Sequence, residues 1–327
     1  MTERVLITGA SGFLGYHIIL SALDKKMEVF AAVRKTSDIK HLKDLPLTYV
    51  YLNFESIGEM QELINKYKIN YIIHAAGATK ALNQVDYDTI NATYSINLAK
   101  AASLSSTYFK KLVFISSLAA CGPSTSATDC INELISPKPL TAYGRSKLLA
   151  EIELSKLPLP LVILRPTAIY GPRDKDIFII LKTINKGLDP YLGKILQQLS
   201  FVHAHDVAAV AVQSLVLNKV GTYVITDGNS YSRYTFADIA KNILRKKAIR
   251  FHIPMALVKI LAGSLEITNG WIKKTTVINR EKLLELAARN WSCDISKAKD
   301  ELNFKPIYNL ENGLINSIEW YQLNKLI

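Results

Sequence analysis

The segment Thr141-Ala142-Tyr143-Gly144-Arg145-Ser146-Lys147 sets a phenol and an ammonium four residues apart, inside a pattern that predicts a long helix over 141–157. Four residues make about one turn, so the two side chains share a face. Free tyrosine has a pKa near about 10 and does no acid–base work at neutral pH unless a nearby cation stabilises its phenolate. Lys147 stands where it could supply that cation. Ser116-Ser117, closing the predicted strand 111–117, adds a hydroxyl that could hold a carbonyl oxygen opposite Tyr143. A Ser, a Tyr and a Lys meeting at one place form a hydride-transfer site when a nicotinamide ring is also there.

The elements that must position them begin at the N-terminus. Val5-Leu6-Ile7 runs into glycines at Gly9, Gly12 and Gly15, and an apolar helical pattern (Phe13, Leu14, Ile18, Ile19, Ala22, Leu23) follows at once. This predicts a strand, a tight turn and a helix. Such a turn favours residues without a Cβ, and the helix N-terminus offers unpaired N–H groups and a positive dipole to a pyrophosphate. Further strands are predicted over 28–33, 48–52, 71–77 and 161–164, with helices over 56–68 and 88–103. Continuously apolar strands alternating with helices imply an α/β fold, a doubly wound parallel sheet of Rossmann type. Ligands of such sheets lie beyond the carboxyl ends of the strands, where Gly9, Arg34, Asn53, Gly77, Ser117 and Pro166 should converge. The expected division is a dinucleotide-binding domain over 1–166, to which 201–227 returns, and a smaller helix-rich substrate lobe over 167–200 and 228–327.

Composition narrows the classes. The 327 residues are 49% hydrophobic and contain no long apolar run, which predicts no membrane span. Glu3 and Arg4 lead straight into the first strand, leaving no room for a signal peptide. Cys121, Cys130 and Cys293 show no CxxC spacing, which suits a reducing cytoplasm and gives no metal site. The net charge of +12 is dispersed, with its densest cluster from Lys241 to Arg250 on an amphipathic helix and the following turn. That reads as a solvated basic surface, with no nucleic-acid partner.

Taken together, these motifs resemble the extended short-chain dehydrogenases/reductases, the NAD-dependent epimerase/dehydratase family, nearly end to end. They are Thr8 through Gly15, His74-Ala75-Ala76-Gly77, Asn91, Ser117 five residues before Gly122, Tyr143 through Lys147, Arg165-Pro166, Tyr170-Gly171-Pro172-Arg173-Asp174, and Phe201-Val202-His203 with Asp206. The resemblance implies Tyr143 as proton donor or acceptor, Lys147 on the nicotinamide ribose and the tyrosine, and Ser117 polarising the substrate carbonyl. It further implies a nicotinamide dinucleotide held by Gly9, Ser11, Gly12, Phe13, Leu14, Gly15, Arg34, Lys35, Asn53, Phe54, Ala75, Ala76, Gly77, Asn91, Ser116, Tyr143, Lys147, Pro166, Thr167 and Ile169. Helices such as 88–103 and 141–157 pair across a two-fold axis in many members, which implies a homodimer. Asn53 departs from the acid that many members carry after the third strand, and Cys121-Gly122 from a common Tyr-Gly.

Arg34-Lys35 at the end of the second strand favours NADP(H), with NAD(H) as the other candidate, because a basic pair there meets the extra phosphate of NADP. Ala168 and Leu199 stand where sugar-nucleotide enzymes of the family carry an Asn and an Arg for the diphosphate. The largely apolar stretch 253–265 reads as a wall facing a hydrophobic ligand, and Thr276 through Pro306 looks like the tail of ketoreductase and 3β-hydroxysteroid-dehydrogenase-like members. The expected activity is reduction of a ketone or aldehyde, or oxidation of a secondary alcohol, on a hydrophobic small molecule. Its rivals are a nucleotide-sugar epimerase or dehydratase and, in a different class, a non-catalytic dinucleotide-binding sensor or assembly factor.

Overall fold

The computed structural model describes residues 2–105, 108–256 and 280–327. Seven strands form one parallel sheet: β1 (Arg4–Thr8), β2 (Glu28–Ala32), β3 (Leu47–Val50), β4 (Tyr71–His74), β5 (Lys111–Ile115), β6 (Leu161–Pro166) and, after four strands that lie outside this sheet, β11 (Gly221–Ile225). Their order across the sheet is β11-β6-β5-β4-β1-β2-β3. The chain therefore winds outward from β1 to one edge, returns, and winds to the other, which opens a crevice between β1 and β4.

Alternation along each strand feeds two cores. Leu6, Phe30, Ile72 and Leu112 point to the layer that contains Met60, Leu98 and Ala150, on helices α2 (Ile57–Lys66), α4 (Tyr94–Ser103) and α5 (Ala142–Leu154). Val5, Ile7, Val29, Ile73 and Val113 point to the opposite layer, with Ile18, Ile19, Val207 and Ala211 on α1 (Phe13–Asp24) and α7 (Ala204–Val216). A third core joins Leu181 of α6 (Asp176–Asn185), Phe236 of α8 (Thr235–Leu244) and Leu314 of the helix Leu310–Leu323, with Tyr170 and Phe201 between them.

Three details differ from the sequence expectation. The segment expected as one helix over 88–103 starts earlier, as α3 (Gln84–Asp88) capped by Asn83, and passes through a π turn at Thr89–Thr93 before α4. The strand expected to reach Gly77 stops at His74, because the next backbone donors turn aside: Ala76 N–H to Thr8 Oγ1 and Ala78 N–H to Asn91 Oδ1. The basic stretch ends its helix at Leu244, with Arg245 left-handed at φ 53°, and Ile249–Ile253 forms a strand, β13, paired in parallel with β8 (Leu188–Leu192). Most of the apolar stretch 253–265 lies outside the described residues.

Candidate active site

The glycine loop is built to the limit of its space. Gly9 has φ +68°, and a Cβ there would meet Ala75 and Ala76 backbone atoms at 2.8 Å. A Cβ on Gly15 would meet Gly9 O at 2.1 Å, so α1 seats directly on the turn. Gly12 caps α1 without a side-chain hydrogen bond, which leaves the first amides of that helix to receive an anion. These are the features a dinucleotide pyrophosphate requires. Ser11, Phe13 and Leu14 sit at the same turn, partly exposed.

Beyond β2 and β3, Arg34 and Lys35 are exposed, and neither forms an ion pair with a described residue. Asn53 is exposed too, but its amide is engaged locally: Oδ1 accepts from Glu55 N–H and Nδ2 donates to Glu59. Phe54 stacks on Tyr94 with centroids 5.7 Å apart.

Ser117 and Tyr143 meet at the mouth of the crevice. Burial pushes the Tyr143 phenol up to about 12, with the Ser117 hydroxyl pulling the other way. At neutral pH the tyrosine is a protonated donor. Ser117 also caps the short 3-10 turn Leu118–Ala120, accepting from Ala119 N–H at 3.2 Å. Lys147 is buried one turn deeper, 4% exposed. Its Nζ donates to Ile115 O at 2.9 Å and lies 4.7 Å over the Phe114 ring, and no hydrogen bond joins it to Tyr143. Burial lowers its pKa to about 8, with Glu151 opposing. A Cβ on Gly77 would lie 3.3 Å from Lys147 Nζ and 3.0 Å from Asn91 Oδ1, so Gly77 keeps the ammonium uncovered toward the crevice.

A buried polar chain ties the glycine strand to the tyrosine helix. Thr8 Oγ1 meets His74 Nδ1 at 2.6 Å, His74 Nε2 meets Ser95 Oγ at 2.8 Å, and Ser95 Oγ donates to Asn91 O at 2.7 Å. Asn91 Nδ2 donates to Ser146 Oγ, which donates to Tyr143 O. Because Ser95 uses its proton on Asn91, His74 must carry its hydrogen on Nε2 and accept from Thr8 at Nδ1. Burial holds that ring neutral, its pKa lowered to about 3. Asn91, expected at the cofactor, thus holds Ala78 and Ser146 with its side chain. The π turn that contains it sets this register.

Ser116, also expected at the cofactor, donates its hydroxyl to buried Glu151, which is paired with Arg165 at 2.5 Å. Arg165 in turn donates to Cys121 Sγ at 3.0 Å. Glu151 was not singled out from the sequence, yet Tyr143, Lys147 and Glu151 are spaced i, i+4, i+8 on one helix face, and that spacing was the available signal. Asp206 serves the lobe, accepting from Ile307 and Tyr308 N–H at 3.1 Å.

Above Ser117 and Tyr143 opens a cavity of about 680 Å³. Its walls include Ile177, Ile184, Leu192, Phe201, Phe236 and Trp291, with Thr167, Ala168 and Leu199. Arg233 lines it also, but its guanidinium donates to the carbonyls of Leu192, Gly193 and Ile195. The helix Arg280–Ala287 closes one side and is fastened to the start of α5: Glu281 accepts from Ala142 N–H at 2.5 Å and pairs with Arg145 at 2.6 Å. Cavity residues such as Trp291 and Leu286 left no periodic trace by which the sequence could place them there. Among the described residues, no cluster of His, Cys, Asp or Glu could hold a metal ion and no helix is long and apolar enough to cross a membrane.

The model of the NAD dependent epimerase/dehydratase family matches residues 5–225. The chain is 26% identical to the decarboxylating sterol-4-alpha-carboxylate 3-dehydrogenase of Schizosaccharomyces pombe, over 99% of this chain and 98% of that protein. It is 24% identical to the ceramide reductase of Caulobacter vibrioides, over 97% and 94%. Among solved structures it is similar to the UDP-glucose 4-epimerase of Thermotoga maritima, with a TM-score of 0.80 at 18% identity, over 98% of this chain and 99% of that one.

Proposed function

The chain belongs to the NAD-dependent epimerase/dehydratase family, and from that premise we propose that it interconverts a carbonyl and a secondary alcohol on a hydrophobic small molecule, with Tyr143 as the acid–base group. The observation that carries this reading is the placement of Tyr143 and Ser117 on the wall of a 680 Å³ cavity whose other lining is mainly apolar. Ala168 and Leu199 face the same cavity, and neither offers a donor to a buried diphosphate. Relatives named for a sterol and a ceramide agree with an apolar substrate.

When bound, a nicotinamide dinucleotide supplies the hydride donor or acceptor. The glycine loop and the first amides of α1 would hold its pyrophosphate, and Lys147 beside Gly77 would hold its ribose. In reduction, Ser117 Oγ–H donates a hydrogen bond to the substrate oxygen and Tyr143 transfers its phenolic proton to it. In oxidation the proton returns to Tyr143. Lys147 favours the phenolate that exists between these events.

Tyr143→Phe removes the proton and little else. Turnover on a panel of apolar ketones should fall by roughly 10²–10⁴-fold, while calorimetric binding of the dinucleotide stays the same. Retained turnover in this variant would overturn the reading. Tight UDP-glucose binding would replace it with the epimerase reading, and dinucleotide binding with no turnover on any substrate with the sensor reading.

The dinucleotide we propose is NADP(H), supported by the exposed Arg34 and Lys35 after β2. Arg34→Ala should weaken NADPH by roughly ten- to a hundredfold, as expected for loss of a charge-assisted hydrogen bond, and leave NADH unchanged. Equal weakening of both, read by calorimetry, would remove Arg34 from cofactor selection.

A further inference from the structure

The two-stranded ribbon β8–β13 has its polarity reversed. In register, Asp189 pairs with Arg250 and Tyr191 with His252, and this polar row faces α8. Asp189, 3% exposed, accepts from Lys241 and Arg250 at 3.1 Å, and Tyr234 Oη meets His252 Nε2 at 2.9 Å. The alternate row sets Leu188, Pro190 and Leu192 against Ile249, Phe251 and Ile253; Leu188, Pro190, Ile249 and Phe251 are exposed, while Leu192 and Ile253 at its far end pack on Leu283. Ribbons ordinarily keep the apolar row in and the polar row out.

The outward row continues into the rim of the cavity. Pro190 and Leu192 line the cavity itself, as do Asp189 and Tyr191 of the polar row, while Ile249 is 72% exposed. Leu196, in the loop after β8, is 88% exposed, and Ile179 of α6 lines the cavity while remaining 59% exposed. Cations stand at both ends of the ribbon: Lys186, Arg245, Lys246 and Lys247 where its strands begin, and Lys194 where β8 ends. All five are exposed, and none forms an ion pair with a described residue. Asp189 and Asp238 are already neutralised by Lys241 and Arg250.

An apolar surface flanked by unpaired cations complements the boundary of an anionic bilayer, where alkyl side chains enter the acyl region and lysines meet headgroup phosphates. We propose that this face docks on an anionic lipid surface and opens the cavity toward the leaflet, so that the substrate is a membrane lipid. The docking is independent of the chemistry; the identification of the lipid as substrate rests on the reading of the cavity as the substrate site.

The test is co-sedimentation of the full chain with vesicles of phosphatidylcholine alone or with about a third phosphatidylglycerol, without cofactor or substrate. The chain should pellet with the anionic vesicles and detach as salt is raised. Lys246→Glu with Lys247→Glu should lower the partition coefficient at least tenfold, from roughly fivefold per basic side chain lost. Ile249→Glu should lower it further with an unchanged melting temperature, and turnover of a water-soluble short ketone should be intact in both variants. A chain that stays in the supernatant overturns the proposal, as do variants that pellet like the unaltered protein. Variants that change the mass of the free protein but not its pelleting would mark the face as a protein interface, which also overturns it. Because pelleting needs no turnover, its failure leaves the Tyr143 reading standing, and the reverse holds as well.

Discussion

At the residue scale, the ionisation of Lys147 is the quantity from which the site's pH behaviour follows. Buried beside Phe114 and bonded to a single carbonyl, its ammonium loses water without gaining a carboxylate contact, and its pKa falls to about 8 from an ordinary value of 10.5. Between those values the unfolded chain binds the proton that the folded chain has released. Stability attributable to this group therefore rises with pH from about 8 to 10.5, by at most about 1.4 kcal/mol per pH unit. Lys147→Met should flatten that rise, and denaturant melts at pH 8 and pH 10 read it directly. A slope equal to that of the unaltered protein would mean that the lysine stays charged throughout. Turnover should move the opposite way over the same range, falling as the ammonium is lost.

At the element scale, what could be read from the sequence is what neighbouring residues decide among themselves. The turn at Gly9 to Gly15, the apolar strands and the Tyr143/Lys147 spacing are all local, and a strand that runs into glycine and then a 3.6-residue period admits one interpretation. The pairings that hold the site in shape are not local. Thr8 finds His74 across 66 residues, and Asn91 finds Ser146 across 55, with no periodic trace in either case. The π turn at Thr89–Thr93 was hidden for a related reason: its extra residue shifts the face of the helix so that Asn91 meets Ala78 and Ser146, a demand that arises only once α5 is in place. The ribbon was missed because Ile249–Ile253 alternates as any half-buried strand does; only Asp189 of its partner reveals which face is turned inward.

At the scale of the whole molecule, two exposed apolar surfaces need separate accounts. One is the ribbon beside the cavity. The other lies on the helical layer of the sheet, where Ile152 and Leu149 of α5 are 48% and 39% exposed and Val85 of the adjoining α3 is 71% exposed. Gln84 bonds to both Ala142 O and Arg145, so these helices move as one surface. The cations beside this stripe, Arg145 and Lys156, are paired with Glu281 and Glu153, unlike those of the ribbon, and an apolar stripe with matched charges on packed helices suits a second copy of itself better than a lipid headgroup. The expected outcome is a homodimer, with a mass in light scattering of about twice 36.5 kDa. Ile152→Glu places a charge against its own symmetry mate and should return the mass to 36.5 kDa. The same variant should still pellet with anionic vesicles, more weakly, because a monomer brings one ribbon to the surface where a dimer with both ribbons in reach brings two. A mass that stays at the dimer value moves the interface away from α5. Loss of all pelleting would instead make vesicle binding a property of the pair alone, so the two faces would no longer have independent partners.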